Sequence, residues 1–159
     1  MSKVTTDRPS ANTATDDSQK GIVASHGLFT LIKARFSDFD LQGVLNSRQY
    51  LDLVGEARLE QMERYYKLPI ELYTQRKQSW MLSQFTIDYL KPIYYPTAFF
   101  VSTKIESIDR SKAHVSFSFC SQDKTREFAK GQVVYHLLDM ETRKPTSIPE
   151  DEKAVYLNG

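Results

Sequence analysis

Cysteine is almost missing from this chain: Cys120 stands alone among 159 residues. One cysteine excludes an intrachain disulfide and a cysteine-rich metal site, and it suits a reducing compartment such as the cytoplasm. A dominant charge is missing too. Lys and Arg total 21 against 20 Asp and Glu, so no strong field selects nucleic acid or a membrane surface. No apolar run approaches the roughly 18 residues that would span a bilayer. Met1–Lys20 lacks the apolar stretch of a secretory signal, and Asp7, Asp16 and Asp17 argue against an acid-poor transit peptide. The histidines, His26, His114 and His136, share no metal-ligand spacing. No serine sits in Gly-x-Ser-x-Gly and no glycine-rich phosphate loop occurs, which leaves a serine-hydrolase elbow and a nucleotide loop unsupported.

What is present fits one domain with flanking segments. Residues 1–26, rich in Ser, Thr, Asp and Asn, are expected to form a disordered leader. Residues 27–145 read as the domain. Residues 146–159 read as a C-terminal tail, because Pro145 and Pro149 interrupt the pattern from Thr142 onward. Leu28–Phe36 is apolar and β-branched, as strands are. Ser47 to about Tyr66 has helical periodicity, with Tyr50, Leu51, Val54, Ala57, Met62 and Tyr65 inside one arc of about 140°. Arg58 and Gln61 fall in the same arc, where snorkelling or pairing at its edge would accommodate them. Strands are predicted over Ser79–Leu90, Thr97–Ile108, Ala113–Cys120 and Phe128–Met140, joined mostly by short turns. Ala113, Val115, Phe117 and Phe119 alternate with His114, Ser116, Ser118 and Cys120, the pattern of a strand with two unlike faces. Short turns imply antiparallel pairing, and a lone amphipathic helix needs a sheet to cover it. The predicted class is α+β: an antiparallel sheet curled around one long central helix.

The segment between the first strand and the helix carries the chemistry. Asp38 and Asp40 precede Gly43, and the helix opens at Asn46–Ser47. A carboxylate beside backbone N–H groups at a helix start supplies a base and an oxyanion donor, the minimum for acyl-group hydrolysis. Asp38 also suits a turn or cap, Ser47 an N-cap, and Glu56 a structural partner on the helix. Asp88 reads as a strand-end residue.

The layout, with Phe36, Asp38, Asp40, Gly43, Tyr50 and Glu56-Ala57-Arg58 at these spacings and Asp88-Tyr-Leu-Lys-Pro92 later, resembles the hot-dog fold thioesterases of the 4-hydroxybenzoyl-CoA thioesterase-like family. The resemblance covers about residues 28–140. It implies an acyl-CoA hydrolase without cofactor or metal, acting as a homodimer or homotetramer with a shared site. It assigns Asp40 as nucleophile or general base and the Ser47 backbone N–H as the oxyanion donor. Asn46 stands with them in the catalytic group, and Gly43 and Tyr50 in the substrate-binding group. Members that carry a histidine at the helix start differ from this chain, which has Asn46-Ser47. Arg110 and Lys112 could meet CoA phosphates; a basic turn is equally a solvated one. Trp80, Phe85, Tyr89, Tyr94, Tyr95, Phe99 and Phe100 could line an acyl pocket or fill the core. Two other classes stay open. An acyl-thioester hydratase would need a histidine, and none lies between Gly27 and Ala113. A non-catalytic acyl-binding protein and an acyl-carrier-protein thioesterase are the further alternatives.

Overall fold

A computed structural model describes residues 27–158; the leader expected over residues 1–26 lies outside them. β1 (Leu28–Ile32) is followed by a 3-10 turn at Phe36–Asp38 and a hairpin that delivers the chain to α1 (Gln49–Gln61). α1 runs on through a π turn at Met62–Tyr66. The short α2 (Ile70–Gln75) follows Pro69. Then come β2 (Gln78–Tyr89), β3 (Phe99–Ile108), β4 (Lys112–Cys120), β5 (Glu127–Asp139) and α3 (Glu150–Asn158).

The five strands form one sheet in the order β1-β3-β4-β5-β2, every neighbouring pair antiparallel. α1 packs against β1 and β3 across the inner face of this sheet. Val54 and Ala57 are fully buried, in one cluster with Val101, Val115, Phe119 and Val133 from the strands. The sheet wrapped on a central helix is the α+β arrangement expected from the sequence. In β4 the expected face holds: Ala113, Val115, Phe117 and Phe119 are all buried. Ser118 and Cys120 are buried as well, since β4 is central in the sheet.

The buried face of α1 departs from the expected arc in two places. Leu53 is buried and Leu51 only half-buried, because the helix meets β1 as well as the central strands. Tyr66 is buried and Tyr65 exposed. A π turn is one residue wider than an α turn, so the inward position falls one residue later. Arg58 and Gln61 pair inside the fold rather than at its edge. The Arg58 Nη1 donates to Thr103 Oγ1 at 3.0 Å. Gln61 Nε2 donates to the Leu28 carbonyl at 3.2 Å and to Thr30 Oγ1 at 3.1 Å, tying α1 to β1.

The end of the chain is not the irregular tail the two prolines suggest. Ile148 is 1% exposed, and α3 buries Glu152 and Tyr156. The Tyr156 ring meets Tyr66 edge-on at 5.1 Å and Trp80 at 6.4 Å. Its hydroxyl bonds to that of Tyr73, and Glu152 accepts from Tyr73 at 3.0 Å and from Arg76. Pro149 precedes the first turn rather than breaking a helix, and Glu150, Asp151 and Glu152 complement the positive end of the helix dipole.

Candidate active site

Asp40 sits where the chain folds back on itself. Phe39 and Leu45 form an antiparallel bridge. Between them the Asp40 N–H donates to the Val44 carbonyl at 2.8 Å, and the Gly43 N–H donates to the Asp40 carbonyl at 3.0 Å. Gly43 has φ +76°, the left-handed conformation that closes such a three-residue hairpin loop. The Asp-x-x-Gly spacing is therefore a turn requirement in its own right. The Asp40 side chain completes the turn: one oxygen, Oδ1, accepts the Gln42 N–H at 2.8 Å and the Val44 N–H at 3.0 Å. The other oxygen has no hydrogen-bond partner among the described residues, and Asp40 is exposed. A carboxylate pinned through one oxygen and open at the other is oriented without being consumed.

The hairpin is clamped from behind. The Leu45 N–H donates to the Ile93 carbonyl at 2.8 Å and the Tyr95 N–H to the Gly43 carbonyl at 2.9 Å. Phe36 and Phe39 both meet the Tyr95 ring edge-on. Asp38 takes the turn role its position allowed. It is buried and accepts from the Arg35 N–H at 2.8 Å and from the Arg35 guanidinium at 3.1 Å. Burial pushes its carboxyl up, yet the Arg35 bonds and charge outweigh that and leave it below the ordinary value.

Asn46, not the Ser47 side chain, holds the turn that leads into α1; Arg48, at the N-cap itself, makes no side-chain cap bond. Asn46 Oδ1 accepts the Arg48 N–H at 3.3 Å and its carbonyl accepts the Gln49 N–H at 2.9 Å. The Asn46 N–H donates to the Asp38 carbonyl at 2.9 Å, which ties this turn to the hairpin. Among the described residues the Ser47 N–H has no acceptor, and Ser47 is exposed. It is one of the orphan donors that a helix start leaves for an anion.

Ser47 opens onto a cleft of about 280 Å³ whose wall includes Val44, Leu45, Tyr50, Tyr89 and Lys91. Tyr50 is 2% exposed, its ring edge-on to Tyr89 at 5.0 Å. Burial, with the neighbouring Tyr89, pushes its phenol up to about 12, so it stays neutral. The Tyr89 hydroxyl donates to the Ser47 carbonyl at 2.7 Å and fixes the peptide that follows the free N–H. Tyr89 is one of the aromatic residues that the sequence offers for a pocket wall; Lys91 is not among the residues read as site candidates, and Asp88-Tyr-Leu-Lys-Pro92 is its signal. Asp88 itself is exposed on β2 opposite Lys130. Arg110 and Lys112 lie at the other end of the sheet, where β3 turns into β4. That is roughly 30 Å from the Asp40 end at about 3.3 Å per strand residue, so one chain does not bring them to the cleft. Arg110 there donates to Ser147 Oγ at 2.9 Å. Among the described residues no three His, Cys, Asp or Glu side chains gather as a metal site, and no helix is long and apolar enough to cross a membrane.

A curled antiparallel sheet around one helix, with a carboxylate hairpin at the helix start, defines a hot-dog fold protein. Residues 34–155 match the sequence profile of the thioesterase-like superfamily, and the chain belongs to that family. No curated protein sequence matches it significantly. Solved structures share the fold. A hypothetical protein from Aquifex aeolicus superposes with a TM-score of 0.73 at 22% identity, covering 81% of this chain and 98% of its own. A 1,4-dihydroxy-2-naphthoyl-CoA thioesterase from Synechocystis gives 0.74 at 16% identity, covering 82% and 96%. A hypothetical protein from Staphylococcus aureus, solved in complex with CoA, gives 0.73 at 12% identity, covering 82% and 81%. At these identities the likeness speaks for the fold alone.

Proposed function

We propose that the protein is an acyl-CoA thioesterase, hydrolysing the thioester to a free acid and CoA. The observation that carries this reading is that one short segment, the hairpin and the helix start it leads into, holds both an open, oriented Asp40 oxygen and an unsatisfied Ser47 N–H. In this reading the thioester carbonyl oxygen lies against the Ser47 N–H, where the helix dipole favours developing negative charge. Asp40 either attacks the carbonyl carbon or takes a proton from the water that does. The C–S bond breaks and CoA leaves as the thiolate; water supplies the hydroxyl of the acid. Asn46 holds the helix start in place, while Gly43 sets the turn that aims Asp40. Tyr50 and Tyr89 form the wall beside the reacting group.

The proposal includes a dimer, or a pair of dimers. β2 is a twelve-residue strand at the edge of the sheet, with Met81, Leu82 and Tyr89 exposed. A long apolar edge is a template for another strand, and a second copy pairing along it would cover these side chains. Lys91 stands at the cleft for a CoA phosphate; Arg110 and Lys112 would reach the nucleotide only from another subunit. Support for CoA as the carrier comes from neighbours whose structures are described as CoA thioesterases or a CoA complex. The test is thiol release from a panel of acyl-CoAs and acyl carrier proteins, alongside sedimentation. Turnover of an acyl-CoA by a dimer or tetramer is expected. Tight binding of acyl-CoAs without thiol release would identify an acyl-binding protein instead.

A further inference from the structure

The second half of α1 faces a cavity that the proposed reaction does not use. It measures about 190 Å³ and lies against Trp80, Ile105, Ala113, Tyr135 and Tyr156, with Gly55 and Arg58 on the helix side. It lies about 16 Å further along α1 than Ser47, at 1.5 Å per residue, so it is separate from the cleft at Ser47.

Its walls are apolar except for one unusual group. Arg58 is 7% exposed, and among the described residues no carboxylate lies within ion-pairing distance of it. Its hydrogen bonds go to neutral oxygens through one nitrogen, Nη1: Thr103 at 3.0 Å and Gln61 at 3.5 Å. Tyr66 offers its ring face at 5.5 Å. Tyr156, on the same wall, is linked through Tyr73 to Glu152, but that carboxylate is already held by Arg76 and Tyr73. A guanidinium stays charged at any ordinary pH, and a buried charge without a counterion is costly. A second feature is space left on the helix. A Cβ at Gly55 would meet nothing within 4 Å, so packing does not demand a glycine inside a helix that it weakens.

We infer that this cavity is a binding site for a small apolar carboxylate, whose hydrocarbon fills the aromatic wall and whose oxygens complete Arg58. The charge comes from Arg58 and the size from the cavity. An engineered apolar cavity of about 150 Å³ accepts benzene, so this one has room for a ring or chain of about six carbons plus its carboxylate. Arg–carboxylate pairs in a dry site are strong and directional. The site does not depend on the thioesterase reading, since it needs only a free acid.

Trp80 is the only tryptophan in the chain, so its fluorescence reports on the cavity directly. Hexanoate, titrated into the full-length protein, should change that emission saturably. It should bind at least about tenfold more tightly than hexanamide, which has the same shape without the charge. Arg58→Met, which keeps volume and removes the cation, should bring hexanoate down to the level of hexanamide. Gly55→Leu places a side chain at the cavity and favours the helix; it should remain folded and lose the response to both compounds. The inference is overturned if hexanamide binds as well as hexanoate, if Arg58→Met leaves hexanoate affinity unchanged, or if Gly55→Leu still binds. Should Arg58→Met fail to fold, the amide comparison and Gly55→Leu decide the question by themselves. Absence of any saturable change in the native protein also overturns it.

Discussion

Replacing Tyr156 with alanine should cost about 3–5 kcal/mol of stability, the range for truncating a buried aromatic. The ring is 4% exposed and packs on Tyr66 and Trp80, so its loss opens a void in the main core rather than thinning a surface. The hydroxyl contributes separately. Tyr156→Phe removes its bond with Tyr73, but Tyr73 keeps Glu152 as acceptor, so about 1 kcal/mol is expected. For a domain of this size the alanine variant should melt about 10 °C lower. Urea unfolding at fixed protein concentration measures both variants, since subunit association would shift the midpoint with concentration. Ending the chain after Pro149 should be at least as damaging as Tyr156→Ala. If Tyr156→Ala unfolds within about 0.5 kcal/mol of the native protein, α3 is a loosely attached tail and the packing described above is wrong.

Three further outcomes follow from particular contacts. Gly131→Ala should destabilise strongly by urea midpoint, because a Cβ there would lie 2.0 Å from the Thr86 carbonyl oxygen and force β2 off β5; an unchanged midpoint would contradict that close approach. Asp38, held below its ordinary value of 3.8 by Arg35 despite burial, contributes stability that is present above that value and lost as pH falls through the folded one. The gap in urea midpoint between the native protein and Asp38→Asn should thus be constant from pH 7 to 5 and narrow as pH falls below 3.8; a gap as wide at pH 3 as at pH 7 refutes the pairing. Cys120 is buried, and burial pushes its thiol up to about 11, so a disulfide dye at pH 8 should titrate almost no protein thiol until the chain is unfolded.

The fold was legible wherever a periodicity ran long enough to be counted. The alternation through Ala113–Phe119 and the helical spacing of Tyr50, Val54 and Ala57 mark faces that the structure buries. Boundaries and exceptions were set by features that periodicity does not carry. The π turn moved burial from Tyr65 to Tyr66, and nothing in Met62–Tyr66 announces it. Pro149 ahead of three acidic residues is a helix start, but two prolines close together dominate the local pattern. At the site, the Asp40–Gly43 spacing was readable as a turn, because such a loop favours an aspartate at its start and a glycine at its close. That Asn46 holds the turn and Ser47 does not cap the helix was not, since both residue types cap well and only the backbone geometry decides. The distance of Arg110 and Lys112 from the cleft is a matter of strand length and direction, which a basic turn does not reveal. Arg58 inside an apolar arc was the one visible sign of the second cavity.

The central claim is that Asp40 and the Ser47 N–H act on one thioester. It is tested most directly by thiol release from the best acyl-CoA substrate, comparing the native protein with Asp40→Asn and Ser47→Pro. Asp40→Asn keeps shape and an oxygen for the turn but removes the carboxylate; turnover should fall at least about 10²-fold while a non-hydrolysable acyl-CoA still binds. Ser47→Pro deletes the N–H at a position where proline suits a helix start, and turnover should fall by about 10²–10³ with the fold intact. Full turnover by a folded Asp40→Asn variant would contradict the account at its base, and full turnover by folded Ser47→Pro would place the oxyanion donor elsewhere.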